Sequence, residues 1–147
     1  EIYLDIVGDM LKPHKGALEC LSELYQAGIP LVLASAADHL KIDANLRVAG
    51  IDPSLFQAIL GAEDVEAKKP APDIYLAAAE AVSMPPKQCI VVEDALNGIQ
   101  AAHNAGMRCF ALTTTFDRSS IEQHHPEFMC ENLFQVRDGV LELLRKE

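Results

Sequence analysis

Short apolar runs alternate with amphipathic segments along most of this chain, and this alternation limits the folds that it can adopt. Apolar residues recur at helical spacing in residues 15–27, 38–49, 72–82, 96–105 and 136–146. Short, nearly continuous apolar runs lie between them, at residues 30–34, 56–60, 89–92, 107–112 and 128–130. Strands that are buried on both faces have such runs, and strands that alternate with helices form parallel sheets. The pattern therefore predicts an α/β fold, a three-layer arrangement of one parallel sheet with helices on both faces.

Composition and charge exclude several classes of protein. The 147 residues are half apolar, which is enough for one domain with a core. With 12 Lys and Arg against 22 Asp and Glu, the net charge is −10, which repels nucleic acid and anionic membranes. No apolar run approaches the roughly 18 residues of a membrane-spanning helix. The four cysteines form no Cys-x-x-Cys pair, as is typical of buried free thiols in a reducing compartment. We therefore expect a cytoplasmic protein.

Two adjacent carboxylates follow one of the predicted strands. Glu93 and Asp94 come directly after the run IVV, and ligands of parallel sheets bind at the carboxyl ends of the strands. Carboxylate oxygens suit Mg²⁺, which usually takes one or two protein carboxylates. In the alternative interpretation, Asp94 only caps the next helix and Glu93 is solvated.

A lysine and a serine occupy comparable positions. Lys69 lies in KKPAPDIY, where prolines restrict the backbone, and a compact ammonium held in one place suits a phosphate oxygen or a carboxylate. Ser35 follows LVLA, and small Ala36 and Ala37 allow backbone N–H groups to approach an anion there. The alternatives are a surface lysine beside two structural prolines, and a helix start that Asp38 is well placed to cap.

Three longer segments that contain these residues resemble the haloacid dehalogenase superfamily, in its β-phosphoglucomutase-like and phosphatase branch with an inserted cap. The segments are LVLASAAD, KKPAPDIYLAAA and IVVEDALNGIQAAHNAGM, within a match over residues 12–112. The resemblance implies a Rossmann-like core and Mg²⁺-dependent phosphoryl transfer on a small phosphorylated metabolite, such as a sugar phosphate. It also implies that Ser35 and Lys69 are catalytic, and that Ser35, Lys69 and the amides of Ala36 and Ala37 bind phosphate.

The resemblance further implies that Glu93 and Asp94 bind Mg²⁺, but the nucleophile of the family is not found. The family's first motif is an apolar strand that ends in Asp-x-Asp, whereas Asp5 and Asp9 are four positions apart. Residues 1–12 fit instead the last helix of a cap, followed by a core over residues 13–147. We therefore expect one core domain over residues 1–147 that lacks the first strand and the cap. We also expect the chain to be part of a longer protein and to be inactive by itself.

The resemblance also implies that the missing strand lies at the centre of the sheet, between the strands that end at Ser35 and Glu93. Its absence would lower the stability of the chain, unless a missing segment or another chain completed the sheet.

Ala37 cannot bind a second phosphate with its methyl group, which favours a phosphatase over a mutase.

Two other functions are also compatible with the sequence. One is a binding or regulatory module of the same fold that has lost catalysis. The other is a receiver-like domain, although no acidic cluster near the N-terminus supports it. The pair His124 and His125 precedes Pro126 in what we interpret as a solvated turn without a third metal ligand.

Overall fold

One six-stranded parallel sheet organises the described part of the chain. The structure is a computed structural model, and it describes the backbone of residues 4–7 and all of residues 16–146. The strand order is β3-β2-β1-β4-β5-β6, and each neighbouring pair is parallel. The strands are β1 (Leu4–Val7), β2 (Leu31–Ala34), β3 (Ala58–Leu60), β4 (Cys89–Glu93), β5 (Arg108–Leu112) and β6 (Phe128–Cys130).

Helices connect these strands, and a side chain caps the start of three of the described helices. The helices are α1 (Ala17–Gln26), α2 (His39–Ala49), α3 (Asp73–Ala81), α4 (Leu96–Asn104), α5 (Arg118–Glu122) and α6 (Leu133–Arg145). Those with a side-chain cap are α2, α5 and α6. The carboxylate of Asp38 accepts a hydrogen bond from the Lys41 N–H at 2.8 Å, which confirms the cap expected for α2. That helix ends at Gly50, whose φ of 71° few other residues adopt readily.

Two apolar clusters cover the two faces of the sheet, because successive residues of a strand point to opposite faces. In β4, Ile90 and Val92 belong to one cluster, and Cys89 and Val91 belong to the other. Residues of α1, α2 and α6 complete the first cluster, and residues of α3, α4 and α5 complete the second. The second cluster is rich in small side chains, including Ala78, Ala79, Ala101, Ala102, Ala105 and Ala111. This arrangement confirms the predicted α/β fold with helices on both faces.

The N-terminal segment corrects one expectation. Residues Leu4–Val7 form strand β1 and not part of a helix, and β1 lies between β2 and β4, where a strand was expected to be missing. The spacing of Ile2, Leu4 and Ile6 also fits the two-residue period of a strand, and pairing on both sides satisfies the backbone of β2 and β4. The rest of the expected cap helix, residues 1–3 and 8–12, lies outside the described residues.

The thiols agree with the sequence analysis. All four cysteines are free and buried. Burial raises the pKa of Cys89 and of Cys130 to about 11, so both thiols are protonated and unreactive at neutral pH. Among the described helices, none has the length and apolar character that crossing a membrane requires.

The central position of β1 leads to a stability prediction. The backbone of Ile6 is paired with Val32 on one side and Val91 on the other. Ile6→Pro removes an N–H from the middle of the sheet, so we expect the free energy of unfolding to fall by at least about 2 kcal/mol. Urea unfolding followed by circular dichroism measures the change. An unchanged midpoint for this variant would contradict the placement of β1.

Candidate active site

The carboxyl edge of the sheet brings together most of the residues singled out in the sequence. Ser35 directly follows β2, Glu93 ends β4, and Asp94 is the next residue. Lys69 reaches the same edge from the segment that precedes α3. Because β1 is the only strand between β2 and β4, the ends of these two strands lie about 10 Å apart.

Glu93 is the most completely bonded polar side chain at this edge. Its carboxylate is fully buried. Oε2 accepts hydrogen bonds from Lys69 Nζ at 3.0 Å and from the Tyr75 hydroxyl at 2.6 Å. Oε1 accepts from the backbone N–H groups of Asp94 at 3.1 Å and Ala95 at 3.2 Å. Four donors match the four acceptor sites of a carboxylate, so burial of this charge is compensated.

Lys69 forms a buried ion pair with this carboxylate. Its side chain is 5% exposed, and its ammonium also lies 5.2 Å from the centre of the Tyr75 ring. The carboxylate and the aromatic face together hold one positive charge in a fixed place. The alternative of a surface lysine beside two prolines is therefore wrong.

Asp94 lies beside this pair with a different partner. It is 7% exposed, and its Oδ2 accepts a hydrogen bond from the Thr115 hydroxyl at 2.8 Å. The N-terminal cap residue of α4 is Ala95, with no side-chain capping bond. The alternative in which Asp94 caps the helix and Glu93 is solvated is therefore wrong for both residues.

Ser35 and Lys69 line one small cavity of about 20 Å³, together with Ala36 and Lys68. Ser35 is buried, and its Oγ accepts a hydrogen bond from the Ala37 N–H at 3.1 Å. Ala37 does not line this cavity, and its carbonyl oxygen accepts from the Ala62 N–H. Three of the four predicted phosphate-binding residues, Ser35, Ala36 and Lys69, thus line the same cavity. The N–H of the fourth, Ala37, is hydrogen-bonded to the Ser35 hydroxyl.

A second cluster at the edge joins the loops that follow β2 and β3. His39 Nε2 lies 2.6 Å from Asp64 Oδ2, and the carboxylate of Glu63 accepts from the His39 N–H at 3.1 Å. The hydrogen bond to Asp64 raises the pKa of His39 above 6.5. The pKa of Asp64 is lowered, first by the Gly61 N–H that it accepts and then by His39. Both side chains are more than one third exposed.

The described residues offer few ligands for a metal ion. They contain no group of three or more His, Cys, Asp or Glu side chains arranged to hold one. All four acceptor sites of Glu93 are already used. Asp94, a nearly buried carboxylate with one hydroxyl donor, fits a Mg²⁺ ion that takes one protein carboxylate and completes its shell with water and phosphate.

Residues 1–106 match the family model described as haloacid dehalogenase-like hydrolase. The chain belongs to this family. The resemblance noted in the sequence is thereby confirmed, and the buried Lys69–Glu93 pair lies within the matched region.

Individual relatives of this haloacid dehalogenase-like chain cover most of it. Protein SUPPRESSOR OF QUENCHING 1, chloroplastic, from Arabidopsis thaliana is 42% identical over 92% of the chain, which spans 13% of that protein. Validoxylamine A 7'-phosphate phosphatase from Streptomyces hygroscopicus subsp. limoneus is 34% identical over 83% of the chain, which spans 56% of that enzyme. A variant of CbbY from Rhodobacter sphaeroides, in complex with xylulose-(1,5)bisphosphate, has a TM-score of 0.73 and 28% identity, covering 82% of this chain and 54% of its own.

Three residues of the site were not identified from the sequence. Tyr75 follows the helical period of a core residue, and nothing in that pattern reports that its hydroxyl reaches Glu93. Thr115 follows the predicted strand over residues 107–112, and nothing in the local pattern reports that its hydroxyl reaches Asp94. Gly98 carries a usable signal, since a glycine inside a helical pattern often marks a close approach. A Cβ atom at this position would overlap the carboxylate of Glu93.

That close approach predicts an unusual effect of a glycine substitution. Gly→Ala inside a helix normally stabilises by about 1 kcal/mol. At position 98 we expect Gly98→Ala to lower the free energy of unfolding by about 1–3 kcal/mol, because the new methyl group displaces Glu93 from its four donors. Asn97→Ala, at an exposed position of the same helix, is the matched control, with a change within about 0.5 kcal/mol. A stabilised Gly98→Ala variant would contradict the close packing of Glu93.

The His39–Asp64 pair predicts a pH dependence. Because the folded-state pKa of His39 is raised, its contribution to stability is present below pH 6.5 and is lost as the pH rises through the folded-state value. The contribution of Asp64 is also stabilising but has the opposite pH dependence: because its pKa is lowered, the contribution is present above pH 3.8 and is lost as the pH falls through the folded-state value. In an NMR titration we expect Asp64→Asn to lower the pKa of His39 more than Glu63→Gln does. Equal pKa values in all three proteins would rule out the hydrogen bond as the cause.

Proposed function

We propose that this chain carries the phosphate-binding and metal-binding parts of a Mg²⁺-dependent phosphoryl-transfer site that acts on small phosphate monoesters. The observation that carries the proposal is the ammonium of Lys69, fixed by buried Glu93 beside the cavity that Ser35 also lines. Family membership and a relative named as validoxylamine A 7'-phosphate phosphatase give further support. Phosphoryl transfer depends mainly on positioning and on charge stabilisation, which is the kind of site these residues form.

In this proposal the Ser35 hydroxyl and the amide of Ala36 bind oxygens of the phosphoryl group. Lys69 neutralises the charge that develops on those oxygens and acts without moving, because its partner already holds it. The amide of Ala37 orients the Ser35 hydroxyl, to which it donates. This role replaces the direct phosphate contact that the sequence suggested for Ala37.

Asp94 is the proposed ligand of Mg²⁺, and the ion, when bound, supplies positive charge next to the phosphate oxygens. The Thr115 hydroxyl holds the Asp94 carboxylate in place. Glu93 contributes indirectly, since its oxygens serve Lys69, Tyr75 and the backbone. Of the two carboxylates assigned to the metal from sequence, Asp94 therefore keeps that role and Glu93 positions Lys69.

The nucleophilic aspartate is proposed to come from a part of the protein that this chain does not contain. The sequence has no Asp-x-Asp pair after an apolar strand. The backbone of Asp5 pairs with Leu31 and Ile90, two residues before the end of β1, while the site lies beyond the ends of the strands. Asp9 lies outside the described residues.

The proposed substrate class is a sugar phosphate or a polyol phosphate, and the proposed reaction is hydrolysis. CbbY was crystallised with xylulose-(1,5)bisphosphate, a sugar bisphosphate, and the Streptomyces relative is named as a phosphatase of validoxylamine A 7'-phosphate. Ala37 provides no side-chain donor for the second phosphate that a mutase must bind, which favours a phosphatase over a phosphoglucomutase-like enzyme. Four buried free thiols support a reducing compartment such as the cytoplasm.

The role of Lys69 is tested by phosphate binding. With MgCl₂ present, inorganic phosphate is expected to shift the backbone amide NMR signals of Ser35 and Ala36. Lys69→Met should weaken this binding about tenfold or more, because a charge-assisted hydrogen bond is lost. Lys68→Met is the matched control, since Lys68 is an exposed neighbour that also lines the cavity. Thermal unfolding verifies that each variant is folded, and equal binding by both variants would refute the assignment of Lys69.

The absence of the nucleophile is tested by turnover. The chain alone, given p-nitrophenyl phosphate and Mg²⁺, is expected to release no p-nitrophenol above background. In the longer protein, Asp94→Asn should remove the dependence on Mg²⁺ and Lys69→Ala should abolish activity. Enzyme-like turnover by the chain alone that Asp5→Asn abolishes would instead identify Asp5 as the nucleophile.

A further inference from the structure

A second cavity opens at the amino ends of the strands, opposite the candidate active site, and is lined by basic side chains. Its volume is about 490 Å³, within the range of cavities that bind small metabolites. Its charged and titratable lining residues are Lys87, His103, Arg108, His124, His125 and Glu127. The pair His124 and His125, which the sequence pattern places in a solvated turn, lines this cavity.

The cavity lies at the amino ends of the strands, opposite the candidate active site. Lys87 lies two residues before β4, Arg108 is the first residue of β5, and Glu127 directly precedes β6. Glu93, at the carboxyl end of β4, belongs to the other edge. A five-residue strand is about 16 Å long, so one small ligand does not reach both sites.

The charge of the lining contrasts with that of the whole chain. Lys87 and Arg108 are positive and Glu127 is negative, so the lining has an excess of one positive charge even with neutral imidazoles. Each protonated histidine adds one more. The complete chain carries a net charge of −10. A small anion is therefore repelled less at this cavity than elsewhere on the acidic surface, and protonation of the histidines favours it further.

The shape of the cavity adds a second argument. Buried Ile99, Met107 and Cys109 form part of its wall, below the more exposed basic groups. The chain turns sharply at His125, whose φ of 53° lies in the left-handed region, and the His125 N–H donates to the Glu122 carbonyl oxygen at 3.1 Å. Two consecutive histidines thus contribute to one concave surface.

The histidines do not form a metal site among the described residues, which include no group of three potential ligands arranged around one point. Imidazole, ammonium and guanidinium groups spread around a concave surface suit an extended anion instead. Such an anion can contact several donors at once, and guanidinium and ammonium groups pair well with phosphate and carboxylate oxygens.

We propose that this cavity is a binding site for a small, multiply charged anion of the phosphate or polycarboxylate class. The anion contacts Lys87 and Arg108 and is completed by imidazole donors of His103 and His125. His124, whose Nδ1 donates to the Ser120 carbonyl oxygen at 3.1 Å, adds a donor through Nε2 when it is protonated. The site is separate from the phosphoryl-transfer site in position and in residues.

The probes for this site are pyrophosphate and citrate, titrated into the whole chain at constant ionic strength. We expect the imidazole NMR signals of His103, His124 and His125 to shift with one common dissociation constant. Lys87→Gln and His103→Gln should each weaken binding about tenfold, and both side chains are exposed, so the fold is preserved. Lys41→Gln, an exposed lysine in the first turn of α2, is the matched control and should change binding less than twofold.

The two probes distinguish the chemical class. Binding of pyrophosphate alone assigns the site to phosphate compounds, binding of citrate alone assigns it to polycarboxylates, and comparable binding of both assigns it to multiply charged anions in general. The proposal is overturned if neither probe shifts the three imidazoles at millimolar concentration. It is also overturned if Lys41→Gln weakens binding as much as Lys87→Gln does.

Discussion

The buried carboxylate of Glu93 determines how the candidate site is arranged. Removing a carboxylate from water costs several kcal/mol, and four donors compensate for that cost here. The four donors come from three parts of the local structure: one from the segment before α3, one from α3 itself, and two from consecutive amides after β4. The same contacts that stabilise the charge therefore fix Lys69 in direction and the backbone of Asp94 in position.

Sheet order explains why residues distant in sequence meet at this edge. The chain leaves the centre of the sheet in one direction through β2 and β3 and in the other through β4, β5 and β6. The reversal places the ends of β2 and β4 on either side of β1, and crevices at such reversals are where open α/β sheets bind ligands. Ser35 and Glu93 occupy the two sides of this crevice.

Much of this architecture could be predicted from the sequence, and the remainder has identifiable causes. The strands β2, β4 and β5 are continuous apolar runs, and a run buried on both faces has few alternatives. The segment Leu4–Val7 was misinterpreted because four residues carry too little periodicity to distinguish a strand from a helix. The five-residue α5 was missed for the same reason.

The residues of the candidate site could be identified from the sequence, whereas the contacts between them could not. Ser35, Lys69, Glu93 and Asp94 were identified because each follows a strand or lies in a specific motif. Which carboxylate binds Lys69 depends on side-chain packing between α3 and β4, and no local pattern reports it. The cavity at the amino edge was not found, because its lining residues come from four separate segments whose individual patterns resemble ordinary turns.

The small side chains between the sheet and helices α3 and α4 have a consequence for how this protein tolerates mutation. Alanines such as Ala78, Ala79 and Ala101 allow these helices to lie close to the strands. Tyr75 reaches Glu93 from α3, and Gly98 contacts it from α4, only at that spacing. Enlarging one of these alanines would push a helix outward and withdraw a partner from the carboxylate, so substitutions far from the polar residues of the candidate site can still disturb it.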